Sequence, residues 1–451
     1  MTVSALPLVA PRYRRSPKAR VYVAHFPGST LNVENGRARC YPGLAGDAPD
    51  LRSLYLAAAE LLAPARSIVD LGCGAGIGCA QLAPHFEHIS ALDSDGVALE
   101  FAREYLGALP HVDVLLAPST PVDAPRRHDA GCVVDVLGHT SNPVELLRSA
   151  RRWIKDDGRL FLAEPRAYPT QALLPPVLRA FSRPALSQLL VRAGWEVESW
   201  LDEVGHFVAC LARPSQDDGW VWLERGDQAR RAGNQNAALE AYAQAAACGS
   251  IALGSEALLG SAEIHAERGG LDAACRCLLD AARNTPEHVR ALAGIAEVSL
   301  FSGEARRALL IAVQALESDP CDLHAVQALA RAAHRLEQPE AVASWRLANG
   351  LAPADLASAI ELARMSAVGG KLEFAIWVLE RVRGYREDLP ADFHVTLAWL
   401  YTSSGAGGEA RLEAELARVK EPTSLAVAEL LAHLGAVDGV HDAELTVSAC
   451  A

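Results

Sequence analysis

The sequence has no run of about 18 apolar residues, the length that a membrane-spanning helix requires, so no transmembrane segment is expected. Its ten cysteines include no Cys-x-x-Cys pair and no cysteine–histidine spacing typical of zinc, so the sequence predicts no metal site. The mildly apolar start, Met1 to Ala10, is followed by basic residues up to Arg20, the reverse of the order in a secretory signal. A cytoplasmic protein with reduced core cysteines is therefore expected.

The second half of the chain has fewer basic than acidic residues, whereas the first half has equal numbers. Through Arg213 the sequence has 22 Lys plus Arg and 22 Asp plus Glu, whereas the remainder has 20 and 33. The whole net charge of −13 thus belongs to the second half. Because acidic surface repels phosphates, nucleic acid is not an expected partner. The charge favours basic protein or peptide partners, although it could equally serve solubility alone.

The chain has 451 residues, enough for two or three domains. After a helix with an apolar face near residues 50–62, short apolar strands alternate with helices, which is typical of a parallel sheet covered on both faces. The predicted strands are 21–26, 67–71, 89–92, 112–116, 130–136 and 159–163, and the predicted helices are 78–85, 96–106, 143–154 and 184–193. Two further strands, 195–200 and 207–212, have no helix between them and should form an antiparallel edge.

After Trp220 the strand signals stop and glycines recur at a fixed period. Five of them are separated by 36, 34, 67 and 35 residues, namely Gly233, Gly269, Gly303, Gly370 and Gly405. The interval of 67 is about two periods, and Leu336 to Gln338 stand at the missing turn. A period near 34 with small residues such as Ala237 and Ala308 resembles tetratricopeptide (TPR) repeats, with about six units between Trp220 and Lys420. An irregular helical bundle is the alternative.

One glycine-rich segment carries the strongest sign of chemistry. Residues 69–78 read Val-Asp-Leu-Gly-Cys-Gly-Ala-Gly-Ile-Gly and lie between a predicted strand and a predicted helix. Glycines there let the backbone approach a ligand, and the helix N-terminus adds N–H donors. A dinucleotide fingerprint fits poorly, because its last position falls on Ile77 or Cys79. The pattern acid-x-Gly-x-Gly-x-Gly fits from Asp70 to Gly76, and a glycine-rich turn without a ligand is the alternative.

This pattern resembles motif I of class I S-adenosylmethionine (SAM)-dependent methyltransferases. Segments resembling the family's later strands and helices follow in the correct order, at 128–135, 153–160, 163–165 and 189–195. The resemblance covers about residues 50–213. It implies an α/β Rossmann-like methyltransferase domain, with a mostly parallel sheet and helices on both faces, that binds SAM. The TPR-like region that follows would be an all-α solenoid.

The resemblance also assigns cofactor-binding roles by position. The glycine-loop backbone would line the methionine part of SAM, Asp70 would hold the loop and meet the amino group, and Asp93 would bind the ribose. The alternative for Asp93 is an N-cap of the next helix, which Asp95 could equally provide. The full set of expected cofactor-binding residues is Asp70, Gly72, Cys73, Gly74, Gly76, Asp93, Ser94, Ser119 and Asp135.

One position departs from the family, and one side chain is a candidate base. Where family members carry an acidic residue for the adenine amino group, the sequence has Pro118, so only Ser119 could offer a polar contact. A base assists methyl transfer to a hydroxyl or an amine, and His139 is the best-placed candidate. A structural hydrogen-bonding role is the alternative for His139. The weaker candidates are His25, Tyr41, Glu164 and Tyr168.

Two functions follow. The first is a SAM-dependent methyltransferase whose TPR-like repeats bind a protein or peptide partner, with an unidentified acceptor. The second is a methyltransferase-like scaffold that has lost catalysis and acts through its repeats, as the change at Pro118 suggests. No nucleic acid, membrane or metal is expected to take part. The predicted ranges are a basic arm at 1–28, the methyltransferase domain at 29–213, a linker at 214–218, the helical repeats at 219–436 and a tail at 437–451.

Overall fold

The computed structural model describes residues 14–15, 21–26, 29–34, 37–39, 49–117, 127–140, 142–167, 180–201, 205–286, 288–386 and 388–435. Before Leu51 it describes the backbone alone. Within these ranges no helix is long and apolar enough to cross a membrane. Groups of His, Cys, Asp or Glu that could hold a metal ion are likewise absent from these ranges.

Four short strands near the start of the chain form a separate antiparallel sheet. They are Arg14–Arg15 (β1), Val21–Phe26 (β2), Ser29–Glu34 (β3) and Arg37–Arg39 (β4), and they pair in chain order. β2 confirms the strand predicted there. β2 pairs with β3 across the end of the basic arm predicted at 1–28, and that range stays a prediction.

A seven-stranded sheet forms the centre of the first half. Its strands are Ser67–Leu71 (β5), His88–Asp93 (β6), Val112–Leu116 (β7), His128–Val134 (β8), Ile154–Pro165 (β9), Trp195–Leu201 (β10) and Phe207–Pro214 (β11). They lie in the order β10-β11-β9-β8-β5-β6-β7. The five strands from β5 to β9 run parallel, and β11 runs antiparallel to both of its neighbours. The predicted parallel sheet and its antiparallel edge are both confirmed.

Helices cover the two faces of this sheet. They are Pro49–Leu62 (α1), Ile77–Leu82 (α2), Gly96–Leu106 (α3), Pro143–Trp153 (α4) and Arg183–Arg192 (α5). One buried apolar cluster joins α1, α2 and α3 to the sheet, and a second joins α4 and α5 to it. The strand order reverses between β5 and β8, and ligands of such sheets bind at that point, beyond the carboxyl ends of the strands.

In the part of the chain described from Gly219 to residue 435 every element is a helix, and these helices form six successive pairs. The pairs are Gly219–Arg231 and Gln235–Cys248 (α6, α7), Ile251–Glu267 and Leu271–Asn284 (α8, α9), Val289–Phe301 and Ala305–Ser318 (α10, α11), Leu323–Arg335 and Glu340–Leu351 (α12, α13), Leu356–Val368 and Leu372–Arg383 (α14, α15), and Ala391–Ser403 and Gly407–Lys420 (α16, α17). Residues 425–435 are also helical. The expected six TPR-like units are confirmed.

The turns inside these pairs show why the glycines recur. Each of the five periodic glycines has a backbone φ between 74° and 80°, a left-handed conformation that residues with a Cβ adopt at a cost. At the turn where the period lacks a glycine, Glu337 takes up the same conformation, with φ of 55°. The interval of two periods therefore contains a regular turn at its middle, in which a glutamate takes the place of the glycine.

The described residues group into two compact units. The first contains the seven-stranded sheet with its helices, the following helices up to Val298, and residues 314–322. The second contains residues 299–313 and the described residues from Leu323 onward. The first compact unit thus continues beyond β11 into the helical region. The boundaries predicted at 214, 219 and 437 stay predictions.

Candidate cofactor site and its relatives

The glycine-rich loop follows β5 at the carboxyl edge of the sheet and is tied to the end of β6. The backbone N–H groups of Gly72 and Cys73 donate hydrogen bonds of 2.7 and 2.9 Å to the carbonyl oxygen of Leu92. Gly72, Gly74 and Gly76 all have positive φ, between 54° and 86°. The loop therefore lies across the ends of two neighbouring strands, as the sequence pattern predicted.

Two glycines of this loop differ in what surrounds them. A Cβ added to Gly72 would lie 2.5 Å from a methyl group of Val136, so this glycine allows close packing against the segment after β8. A Cβ added to Gly74 would meet no atom within 4 Å. The side of the loop at Gly74 is thus open, and it forms a cradle that a side chain would fill.

Asp93 faces this loop from the end of β6. One carboxylate oxygen accepts a hydrogen bond of 2.8 Å from the N–H of Gly74, and the other accepts one of 2.8 Å from the N–H of Asp95. Asp95 itself caps α3, because its side chain accepts from Val97 at 3.0 Å. The alternative role considered for Asp93, an N-cap of α3, is therefore wrong. Each Asp93 oxygen retains a lone pair that could accept a ribose hydroxyl.

Asp70 lies beneath the loop and is inaccessible to solvent. Its carboxylate accepts hydrogen bonds from the thiols of Cys79 and Cys132, at 3.1 and 3.2 Å, and from the hydroxyl of Tyr55 at 3.4 Å. Burial raises the pKa of Asp70 to about 6, although these three donors oppose the rise. Asp70 thus joins the end of β5 to α1, α2 and β8, and its expected role in holding the glycine loop stays a prediction. Its expected contact with the amino group of SAM stays a prediction.

The neighbouring residue Gly78, at the start of α2, explains how tightly this interior is packed. A Cβ at Gly78 would lie 2.0 Å from the ring of Tyr55, the same tyrosine that donates to Asp70. The expected loop residue Cys73 is also buried, and its thiol lies 3.6 Å from the carbonyl oxygen of Gly74. Ser94, expected beside the ribose, is exposed after β6. Ser119 and Pro118, at the expected adenine contact, lie outside the described residues.

The segment after β8 brings Asp135 and His139 together. Nε2 of His139 lies 3.4 Å from Oδ1 of Asp135. Asp135 has φ of 58°, which is unusual for a residue with a Cβ and is typical of functional sites. Its Oδ1 is buried without a hydrogen-bond partner, because the contact with His139 lacks hydrogen-bond geometry. A buried carboxylate oxygen in this state is suited to a cation.

Glu164 fixes this segment from β9, a role that the sequence did not indicate. Its fully buried carboxylate accepts hydrogen bonds from the backbone N–H groups of Val136, Leu137 and Gly138, at 3.0, 2.8 and 3.1 Å. Burial and the nearby Asp135 raise the pKa of Glu164 to about 8, and the three N–H donors oppose the rise. Glu164 was expected only as a weak candidate base, and its burial makes it a positioning residue. Among the other weak candidates, the side chains of His25, Tyr41 and Tyr168 lie outside the described residues.

Comparison with known proteins agrees with this geometry. Residues 45–200 match the family model of the methyltransferase domain. This part of the chain is a methyltransferase domain. Domains of this class use SAM as their cofactor, and the residues present fit it. The open cradle at Gly74 lies beside the carboxylate of Asp93, whose free lone pairs suit the hydroxyls of a nucleoside.

Two curated relatives each match about a fifth of the chain. The chain is 33% identical over 100 residues to the (S)-coclaurine N-methyltransferase of Thalictrum flavum subsp. glaucum, which is 21% of this chain and 28% of that protein. It is 24% identical over 110 residues to the ubiquinone biosynthesis O-methyltransferase of Stutzerimonas stutzeri, which is 23% of this chain and 47% of that protein. The chain therefore spans less than half of the length of either relative.

The helical region also has similar solved structures. A tetratricopeptide repeat protein from Parabacteroides merdae is 18% identical, with a TM-score of 0.38, over 49% of this chain and 85% of that one. The TPR-like character of the region rests on the chain itself, in which six helix pairs follow the period of about 34 residues.

Proposed function

We propose that the protein is a SAM-dependent methyltransferase that modifies a nitrogen or oxygen atom of its acceptor, and that its TPR-like helices bind a protein or peptide partner. The observation that carries the catalytic half is the hydrogen bond from Gly74 to Asp93, which assembles the ends of β5 and β6 around an open cradle. The N- and O-methyltransferase names of the two relatives support this choice of acceptor atom.

Bound SAM would supply a methyl group that is activated by the positively charged sulfur. The electron pair of the broken C–S bond would remain on the sulfur. The protein's part is to position the acceptor, exclude water and take the proton that the acceptor loses. Asp135 and His139 are the residues for this part. Nε2 of His139 can accept the proton, and the adjacent carboxylate of Asp135 stabilises the resulting imidazolium. Glu164 keeps both residues in place through the intervening backbone.

Calorimetric titration of the full chain with SAM tests the cofactor site. Binding by the wild type and its loss in Asp93→Ala are expected, and an absence of binding by the wild type would overturn the proposal. The acceptor is then sought by retrieving binding partners with the full chain and incubating them with SAM labelled in its methyl group. His139→Gln should keep SAM binding and lower labelling by roughly 10²–10⁴-fold, the usual contribution of a general base.

A second function is favoured by one sequence feature. Pro118 stands where related domains carry an acidic residue for adenine, which supports a scaffold that has lost catalysis. SAM binding without label transfer to any retained partner would favour this scaffold. Label transfer that disappears in Gly74→Trp would favour the enzyme.

A further inference from the structure

Side chains of α4 pair with side chains of α6 in the helical region, within the first compact unit. Arg148 of α4 has only 2% of its side chain exposed. Its guanidinium donates a hydrogen bond of 2.8 Å to Asp227 of α6 and one of 3.1 Å to the carbonyl oxygen of Arg192. At the rim, Arg152 of α4 pairs with Glu224 of α6 at 3.0 Å. Among the described residues, the only carboxylate that pairs with this buried arginine of the methyltransferase domain is Asp227, which belongs to the helical region.

The end of α5 is held by the same group of charges. Arg192 contacts Asp227 at 3.2 Å and Glu256 of α8 at 3.3 Å. Burial alone would raise the pKa of Asp227, but Arg192 and Arg148 hold it below its usual range. The hydroxyl of Tyr242 in α7 also donates to Asp227, at 2.8 Å. Glu256 also pairs with His288 at 3.1 Å and Arg290 at 3.5 Å, so each charged group of this buried network has an oppositely charged neighbour.

Apolar contacts accompany the charges. A Cβ at Gly194, the residue before β10, would lie 2.6 Å from the ring of Trp220 in α6. The guanidinium of Arg151 lies over the rings of Trp195 and Trp220, at 5.6 and 5.4 Å from their centroids. Val191 of α5 packs against the apolar cluster that α6, α7 and α8 share. The interface therefore resembles the interior of one domain more than a contact between two.

A second contact holds the other end of α5. Ser182 caps this helix, since its hydroxyl accepts from the N–H of Ala185 at 3.2 Å. The same hydroxyl donates to Asp319, in the turn after α11, at 2.5 Å. Asp319 is 2% exposed and also accepts from the N–H of Cys321 at 3.0 Å. Both ends of α5 are thus attached to the helical region, at points far apart in the sequence.

We infer that α6, α7, α8 and the turn at Asp319 are a structural part of the methyltransferase domain, not a separately folded recruitment module. They hold α4 and α5 against the sheet. Because α4 begins at Pro143, four residues after His139, they also hold the segment that carries the candidate base. Only the significance of His139 rests on the proposed function, since the attachment itself is independent of any activity.

Hydrogen exchange of the full chain, followed by mass spectrometry in the absence of SAM, tests this inference. Asp227→Ala leaves Arg148 and Arg192 buried without their shared carboxylate. Exchange in α4 and α5 should then become faster by on the order of 100-fold, since breaking such a pair is strongly destabilising. Glu413→Ala is the matched control, because Glu413 is also a buried carboxylate and pairs with Arg383 and His394 within the second compact unit. Its effect should be confined to α15, α16 and α17.

A separate recruitment module predicts another result. In that case Asp227→Ala would speed exchange in α6 to α8 and leave α4 and α5 unchanged, which would overturn the inference. Two milder variants, Asp227→Asn and Asp319→Asn, decide the question if Asp227→Ala does not fold. Asp319→Asn should speed exchange by about tenfold in the first turn of α5. This turn follows Ser182, which is 137 residues before Asp319 in the sequence. The exchange experiment contains no SAM. A result that overturns this inference can therefore be distinguished from a protein that does not bind SAM.

Discussion

The backbone N–H of Gly74 donates a hydrogen bond of 2.8 Å to the carboxylate of Asp93. This bond joins the loop after β5 to the end of β6, and the second Asp93 oxygen is oriented by the N–H of Asp95. The carboxylate is therefore held in place by the protein alone. A ligand that uses it need not meet the cost of ordering it, which favours affinity.

Asp93→Asn should weaken SAM binding. The substitution removes the charge and replaces one acceptor oxygen with an amide group, so a ribose hydroxyl loses a charge-assisted partner. Such hydrogen bonds contribute about 1.5–3 kcal/mol, so the dissociation constant should rise by roughly 10- to 150-fold in calorimetric titration. Asp95→Asn is the control. Asparagine caps helices as well as aspartate does, so SAM binding should stay at the wild-type level. Equal weakening by both substitutions would argue against a ribose contact at Asp93.

Gly74→Trp should block the cofactor cradle while leaving the protein folded. The backbone at Gly74 has φ of 54°, so a residue with a Cβ costs about 1–2 kcal/mol there, and no atom lies within 4 Å of the new Cβ. Gly233→Trp, in the turn between α6 and α7, is the control. Gly233 has φ of 76°, and no atom lies within 4 Å of the new Cβ, so the backbone strain is similar. Both variants should lower the melting temperature slightly, and only Gly74→Trp should abolish SAM binding. Retained binding in Gly74→Trp would place the cofactor elsewhere.

Local sequence patterns were sufficient to predict this half of the site. Strand, glycine turn and helix follow each other within residues 67–82, and Asp93 ends the next strand along the chain. The carboxyl ends of parallel strands lie at one edge of a sheet, so the pattern together with the methyltransferase resemblance predicted that the glycine loop and Asp93 share that edge. The alternation of strands and helices predicted a parallel sheet with an antiparallel edge, but it did not specify the order of the strands.

Other contacts were beyond local patterns. Glu164 contacts backbone N–H groups 26 to 28 residues earlier, and a backbone donor carries no side-chain signature in a sequence. Arg148 and Asp227 are 79 residues apart, and each is an ordinary polar residue of an amphipathic helix until the fold buries it. Their pairing depends on how α4 and α6 pack, which helical periodicity does not specify. The sequence therefore did not indicate this contact between residues on either side of the linker predicted at 214–218.

Glu164 should make the first compact unit less stable as pH rises. The folded-state pKa of about 8 exceeds the ordinary value of 4.5, so between these values the folded protein binds more protons than the unfolded chain. Stability from this group is thus full below pH 4.5 and is lost as pH rises through 8. Relative to Glu164→Gln, the wild type should lose up to about 1.4 kcal/mol of unfolding free energy per pH unit between pH 6 and 8, measured by urea titration.

A carboxylate with the opposite shift provides the control for this pH effect. Asp129 has a pKa lowered to about 2: burial opposes the shift, while Lys155 and the N–H groups of Ser67 and Arg66 produce it. Its stabilisation is therefore lost only below pH 4, and Asp129→Asn should differ from the wild type by a constant amount between pH 6 and 8. A constant difference for Glu164→Gln as well would mean that Glu164 is ionised throughout and that its three N–H donors outweigh burial.

Gly194→Ala should loosen the attachment of the helical region. The residue has φ of 79°, and a Cβ there would lie 2.6 Å from the indole of Trp220, so the substitution adds a clash to the backbone strain. Gly405→Ala is the control, because Gly405 has the same φ of 79° and no atom lies within 4 Å of the new Cβ. This variant therefore measures the backbone strain alone, about 1–2 kcal/mol. The clash should add roughly 1–3 kcal/mol, because an overpacked interior must shift backbone or side chains. Hydrogen exchange should therefore rise further in α5, β10 and α6 for Gly194→Ala than it does in α16 and α17 for Gly405→Ala. Equal increases would mean that Trp220 yields without resistance, as it would on the surface of a loosely attached domain.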